Sequence, residues 1–251
     1  MAKTFPFRLE WVIVLLLLCS ASAVAGEEQS LLERIDKGLF ENANQVYFQI
    51  THRRPDATVE SARFFSAWDD KDGALVMVLS PVGVAGRAVL AQGRQVTVRF
   101  PGEQGSHPGR FAEAIWGGVL SHYDLLRHGF ARDHEIVSME KSRGDEVVLT
   151  LKAKWPEMPY ATLRLTVDTR RGVPVEEQQL QKDGSLSKTI LYQLFETFDG
   201  ESPRIARMEA INGLNPGYRS LLEVGAVRKE SLPAGAFQPN ALANVGKFLS
   251  P

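Results

Sequence analysis

Apolar and polar residues alternate with period two through most of this chain. Ala62, Phe64, Ser66 and Trp68 alternate with Arg63, Phe65 and Ala67, and Val96, Val98 and Phe100 alternate with Thr97 and Arg99. Val147, Leu149 and Leu151 alternate with Val148, Thr150 and Lys152, and Leu163, Leu165 and Val167 with Thr162, Arg164 and Thr166. Successive strand residues point to opposite faces, so this rhythm marks strands with one buried and one wet face, as in antiparallel sheets. Further strand-like runs are Gln45–Thr51, Leu75–Leu79 (apolar on both faces), Ala85–Ala91, Val173–Gln181, Leu186–Phe195, Ile205–Ile211 and Ser220–Val227. Asp69–Gly73 and Lys182–Ser185 read as turns.

Helical signals are few. Ser30–Phe40 places Leu31, Leu32, Ile35 and Leu39 on one face, with Ser30 as cap and Gly38 near the stop. Pro101–Arg110 is a Gly- and Pro-rich loop. Phe111–Arg127 has apolar residues near helical spacing, but Gly117-Gly118 interrupts them, so a broken helix is expected. Ala241–Phe248 reads as a short terminal helix. Some ten strands exceed what a flat open sheet tolerates. The expected fold is therefore α+β and mainly antiparallel β: a strongly curved sheet or unclosed barrel, with helices capping an apolar concave face.

The N-terminus sets the compartment. Lys3 and Arg8 precede the apolar run Trp11–Leu18, and small residues end in Ala23-Val24-Ala25. This is the pattern of a secretory signal, too short in its apolar part to span a bilayer. Cleavage after Ala25 is expected, with residues 26–251 exported as one domain. Leu18 stands where a lipobox wants a small residue before Cys19, which argues against lipidation. Cys19 is the single cysteine, so the mature chain would have neither disulfides nor a thiol nucleophile. Without Lys3, Arg8 and Glu10, 27 basic residues stand against 29 acidic ones, a balance that gives no steering toward nucleic acid. No G-x-x-x-x-G-K-[ST] loop or G-x-S-x-G elbow occurs. His122, Asp124, His128, Asp133, His134 and Glu135 cluster in sequence, yet their spacing matches no metal or catalytic signature. Glu176-Glu177 and Asp69-Asp70 read as solvated surface. No metal, no cofactor and no enzymatic activity are expected.

The order of several segments resembles the outer-membrane lipoprotein-sorting family with its LolA-like fold. These segments are Phe64–Trp68, Val78–Pro81, Gly86-Arg87 with Gly93, Val98–Pro101, Ser121–Leu125, Val167-Asp168 with Val173-Pro174, and Asp183–Thr189. The resemblance covers nearly all of residues 31–240. It implies an unclosed barrel, capped by helices, around an apolar cavity, in proteins that carry or sense lipids or acylated proteins in the periplasm. It also implies an arginine in the early strands that helps hold the lid; Ala67 and Trp68 stand near that place, with Arg63 beside them. On this reading the lipid-lining residues are Phe64, Trp68, Val76, Val78, Val89, Val98, Phe100, Trp116, Leu149, Leu163 and Leu165. The lid is Phe111–Arg127, including Leu120 and Tyr123, with Gly117 and Gly118 as hinge. The expected function is a monomeric periplasmic carrier of lipid or acylated protein, working between an inner-membrane exporter and an outer-membrane acceptor without covalent chemistry. The alternative is a sensor that uses the same hollow to detect lipid and signal envelope stress.

Overall fold

The computed structural model describes residues 26, 28–37, 45–69, 73–114, 116–127, 129–198, 203–233 and 235–248. The expected signal segment, the Asp70–Asp72 part of the first turn and His128 lie outside them. Residues 28–37 form helix α1. The strands are β1 (Gln45–Arg53), β2 (Val59–Asp69), β3 (Gly73–Ser80), β4 (Ala88–Gln92), β5 (Gln95–Arg99), β6 (His107–Gly109), β7 (His134–Lys141), β8 (Glu146–Ala153), β9 (Thr162–Asp168), β10 (Val173–Leu180), β11 (Leu186–Glu196), β12 (Arg204–Asn212) and β13 (Arg219–Arg228). Helices α2 (His122–Leu126) and α3 (Phe130–Asp133) lie between β6 and β7, and a 3₁₀ segment spans Pro239–Phe248.

All thirteen strands join one antiparallel sheet in the order β6-β5-β4-β3-β2-β1-β13-β12-β11-β10-β9-β8-β7. The sheet is not closed; β6 and β7 are its edges. It is strongly curled, as a single contact demonstrates. Arg94, in the β4–β5 turn, lies 4.6 Å from the ring centroid of Trp155 in the β8–β9 loop. On a flat sheet those loops would be roughly 40 Å apart, at about 4.8 Å per strand.

The concave face holds the main core. Phe64, Val76, Val78, Val89 and Val98 come from the first strands and Leu149, Leu163 and Leu165 from the later ones. Leu31, Leu32 and Ile35 of α1 and Tyr123, Leu125 and Leu126 of α2 pack into the same cluster. A second cluster lies on the convex side, where Phe65, Ala67, Leu75, Met77 and Leu90 meet Phe237, Leu242 and Val245. Strand β3 is thus covered on both faces, which is why Leu75–Leu79 lacks a polar side.

Three segments differ from the sequence reading. Within Pro101–Arg110, read as a loop, His107–Gly109 pairs with β5 as the edge strand β6. Only His122–Leu126 of Phe111–Arg127 is helical. Gly117 (φ +90°) and Gly118 (φ +81°) adopt left-handed backbone and make a strap rather than a helix. The strap is docked: Gly118 N–H donates to the Tyr218 hydroxyl at 3.0 Å and Val119 N–H to Ser220 Oγ at 2.8 Å. A Cβ at Gly118 would collide with the His52 ring. The third difference is β7, which the alternation did not mark. A bulge between Ile136 and Ser138 shifts its register and breaks the period of two.

Candidate functional site: an apolar cavity beneath a clasped helix

A cavity of about 110 Å³ lies between α2 and the middle of the sheet. Its walls are Val46 and Phe48 of β1, Ser66 and Trp68 of β2, Ile205 and Met208 of β12, and Leu222, Val224 and Val227 of β13. Leu125 of α2 forms the roof, and Asp124, Arg127 and Arg204 supply the charged margin. Val46 pairs with Ser66, and Met208 with Leu222, so the pairing brings residues of four neighbouring strands to one space. An apolar cavity of about 150 Å³ admits benzene, so this volume has room for a somewhat smaller group.

The expected lining residues divide. Trp68 borders the cavity. Val76, Val78, Val89, Val98, Leu149, Leu163 and Leu165 are buried in the concave core, and Phe64 stacks on Phe48 at 5.3 Å. They pack against α1, α2 and one another, because these helices fill most of the hollow. Phe100 is a correction: it lies beyond the end of β5, is 37% exposed, and sits under the Arg87 guanidinium. Trp116 packs on His52 at 4.9 Å, away from the cavity wall. Leu120 and Tyr123 are buried under the strap and in α2.

Helix α2 is fastened to the sheet by two buried ion pairs that the sequence reading missed. Arg127, just past α2, holds Glu177 of β10 with Nη1–Oε1 at 2.9 Å and Nη2–Oε2 at 2.8 Å. The Tyr192 hydroxyl of β11 donates to Glu177 Oε2 at 2.6 Å and accepts from Arg127 at 2.7 Å. Arg127 also lies over the Phe130 ring at 4.4 Å. Lys188 of β11 donates to Asp124 Oδ2 at 2.6 Å and to the Val119 carbonyl at 2.7 Å. Gln179 joins the pairs, donating to Asp124 Oδ1 and to Glu177 Oε1, both at 2.7 Å. Asp124 also accepts from Ser121 N–H at 2.7 Å, which sets the first turn of α2. Glu177 is wholly buried, so its reading as solvated surface is corrected.

The electrostatics keep these groups charged. Burial disfavours ionised Asp124, but Lys188 and the hydrogen bonds outweigh it and hold the carboxyl below its ordinary range. Burial likewise opposes the charge on Arg127, yet Glu177 and the two tyrosines leave its pKa well above normal. Tyr192, fully buried, is pushed well up and stays protonated.

The His and carboxylate cluster disperses into separate structural roles. His122 Nδ1 meets the Arg110 carbonyl at 2.8 Å, His134 lies against Tyr123 and the Phe130 carbonyl, and Glu135 is exposed. Burial raises Asp133 to about 6. No group of three or more His, Cys, Asp or Glu among the described residues could hold a metal ion. Asp36 of α1 caps α3 instead, accepting from Phe130 N–H and Ala131 N–H at 2.7 Å each.

His52 anchors the strap through Ser220 (2.8 Å), and burial lowers its pKa from 6.5 to about 4. The unfolded chain therefore takes a proton on His52 at higher pH than the folded one. Its stabilising contribution is complete above pH 6.5 and is lost as pH falls toward 4. The penalty of His52→Gln, read from urea midpoints, is expected to be largest at pH 7 and to shrink by on the order of 2–3 kcal/mol by pH 4. Comparing the variant with wild type cancels the opposite drift from Asp36 and Asp133, both raised to about 6 by burial.

Residues 70–244 match a family model described as uncharacterized protein. No curated protein matches the sequence. Among solved structures, a LolA superfamily protein from Nitrosomonas europaea is 25% identical, with a TM-score of 0.74 over 84% of this chain and 96% of its own. A DUF1329 family protein from Desulfovibrio piger is 18% identical (TM-score 0.72; 87% and 98% covered). A putative outer-membrane lipoprotein-sorting protein domain from Vibrio parahaemolyticus is 16% identical (TM-score 0.72; 87% and 99% covered). The chain belongs to the family that the model describes, and its open, curled sheet with inserted helices is the LolA-like fold of outer-membrane lipoprotein-sorting proteins.

Proposed function

We propose that this protein is a periplasmic carrier that buries an acyl chain of a lipid or lipoprotein beneath α2 and hands it to an acceptor without covalent chemistry. The observation that carries this reading is the apolar cavity between α2 and strands β1, β2, β12 and β13. Each buried methylene contributes about 0.8 kcal/mol, so a few carbons already favour binding and a longer chain supplies the free energy to displace the roof. The names of the structural neighbours agree with such cargo. The N-terminal basic and apolar pattern supports export, and no described helix is long and apolar enough to cross a membrane.

Loading and release follow from the clasp. Helix α2 has only five residues and is held at Asp124 in its middle and at Arg127 just past its C-terminal end. With both pairs made, α2 lies over a space too small for a whole chain. A bound chain longer than the cavity separates α2 from β10 and β11. Release requires an acceptor that binds the chain better or restores the pairs. Native mass spectrometry of protein purified from periplasm is expected to show a co-purifying species with the mass of an acylated lipid. Protein that stays ligand-free after exposure to envelope lipids would contradict the reading.

A further inference from the structure

We infer that the cavity selects a chain bearing an acyl carbonyl, whose oxygen is received by Ser66 and Trp68; this rests on the carrier reading above. Ser66 is the one polar residue in the concave row Phe64-Ser66-Trp68 of β2. It is 0% exposed, flanked by Val46 on β1 and Val76 on β3, and it borders the cavity. Its Oγ has no hydrogen-bond partner among the described residues. Trp68, two residues along the same face, also borders the cavity, and its buried Nε1 has no partner either. Two such groups side by side are costly in an otherwise apolar wall, unless something in the cavity meets them.

The donor inventory fixes what that something presents. An indole N–H only donates, a serine hydroxyl can donate, and the guanidinium of Arg204 on the same margin only donates. An occupant therefore needs an acceptor oxygen, and it needs apolar carbons for Phe48, Met208 and Leu222. An acyl carbonyl meets both requirements, whether in the carboxylate of a free fatty acid or in an acyl ester. A bare hydrocarbon meets only the second. In this arrangement the carbonyl end, rather than the terminal methyl, occupies the small cavity, and the rest of the chain lifts α2.

The test compares three probes on wild type, Ser66→Ala, Trp68→Phe and the double variant. N-phenyl-1-naphthylamine, which carries no carbonyl, is titrated directly; decanoate and methyl decanoate are measured by displacing it. The double variant is expected to lose about tenfold in affinity for both decanoyl ligands beyond any change in naphthylamine binding, and its far-UV circular dichroism and urea midpoint show that it is folded. Loss for both ligands supports the inference and points to an ester or acid alike. Loss for decanoate alone supports it and identifies the free acid as the source. Decanoyl affinities that change no more than naphthylamine binding does, in a folded variant, overturn the inference while the carrier reading stands. Failure of wild type to bind any of the three overturns both. Ser66→Ala should not lower the thermal midpoint of the free protein, because the hydroxyl it removes makes no bond within the fold.

Discussion

Replacing Arg127 with methionine is expected to lower stability by about 3–5 kcal/mol, read from urea unfolding. The loss comes less from the attraction removed than from the charge left behind. Glu177 is completely buried, and Arg127 supplies its counter-ion through two hydrogen bonds. Without the guanidinium, the carboxylate retains only the Tyr192 hydroxyl and Gln179 amide. Arg127→Met with Glu177→Leu removes both charges and should recover most of the loss, since a buried pair is often no better than a well-packed apolar one. Arg54→Met supplies the contrast. Arg54 and Glu60 are 2.8 Å apart, but their side chains are 48% and 42% exposed, so breaking that pair should change stability by less than about 1 kcal/mol. The single Arg127 variant should also speed amide exchange in His122–Leu126, because one end of α2 is then unfastened.

The second large effect is on binding. Met208→Trp places an indole into the space of about 110 Å³ beside Leu222 and Trp68. Methionine is the most adaptable side chain of that wall, and its replacement fills free volume more than it displaces neighbours. Affinity for an apolar probe should fall at least about tenfold, the equivalent of 1.4 kcal/mol, with the urea midpoint lowered only modestly. Probe binding at wild-type strength in a folded Met208→Trp protein would place the lipid elsewhere. The expectation differs from one based on Trp116 or Phe100. Trp116 is occupied with His52, and Phe100 lies at the surface under Arg87.

The sheet was readable in the sequence because burying one face of a strand imposes a period of two. Where that cause is absent, so is the signal. Strand β10 carries Glu176-Glu177-Gln178-Gln179 at its centre, with no apolar alternation to show which side faces inward. Glu177 and Gln179 are buried and Glu176 and Gln178 are not, a fact set by strands β9 and β11 on either side. Lys188 lies at the start of β11 beside a turn, and only its partner Asp124, 64 residues earlier, explains its burial. Long-range charge pairing of this kind leaves no local pattern. Trp68 was legible as a wall residue because it belongs to the clear alternation of β2. Val89, Val98 and Leu163 belong to equally clear alternations, yet the inserted helices turn their part of the hollow into solid core. The period identifies the face and cannot identify what fills it. The left-handed strap at Gly117-Gly118 was marked by its glycines, but its attachment to Tyr218 and Ser220 comes from the far end of the chain.

An acyl chain is expected to enter between α2 and β1, β2, β12 and β13. Photolabelling with a decanoate analogue carrying a diazirine, followed by peptide mapping, locates the bound chain. The prediction is labelling concentrated on peptides containing Phe48, Trp68, Met208 and Leu222, abolished by excess unlabelled decanoate. Label spread over exposed apolar residues such as Val82 (93% exposed) and Leu214 (90% exposed), and insensitive to the competitor, would contradict it.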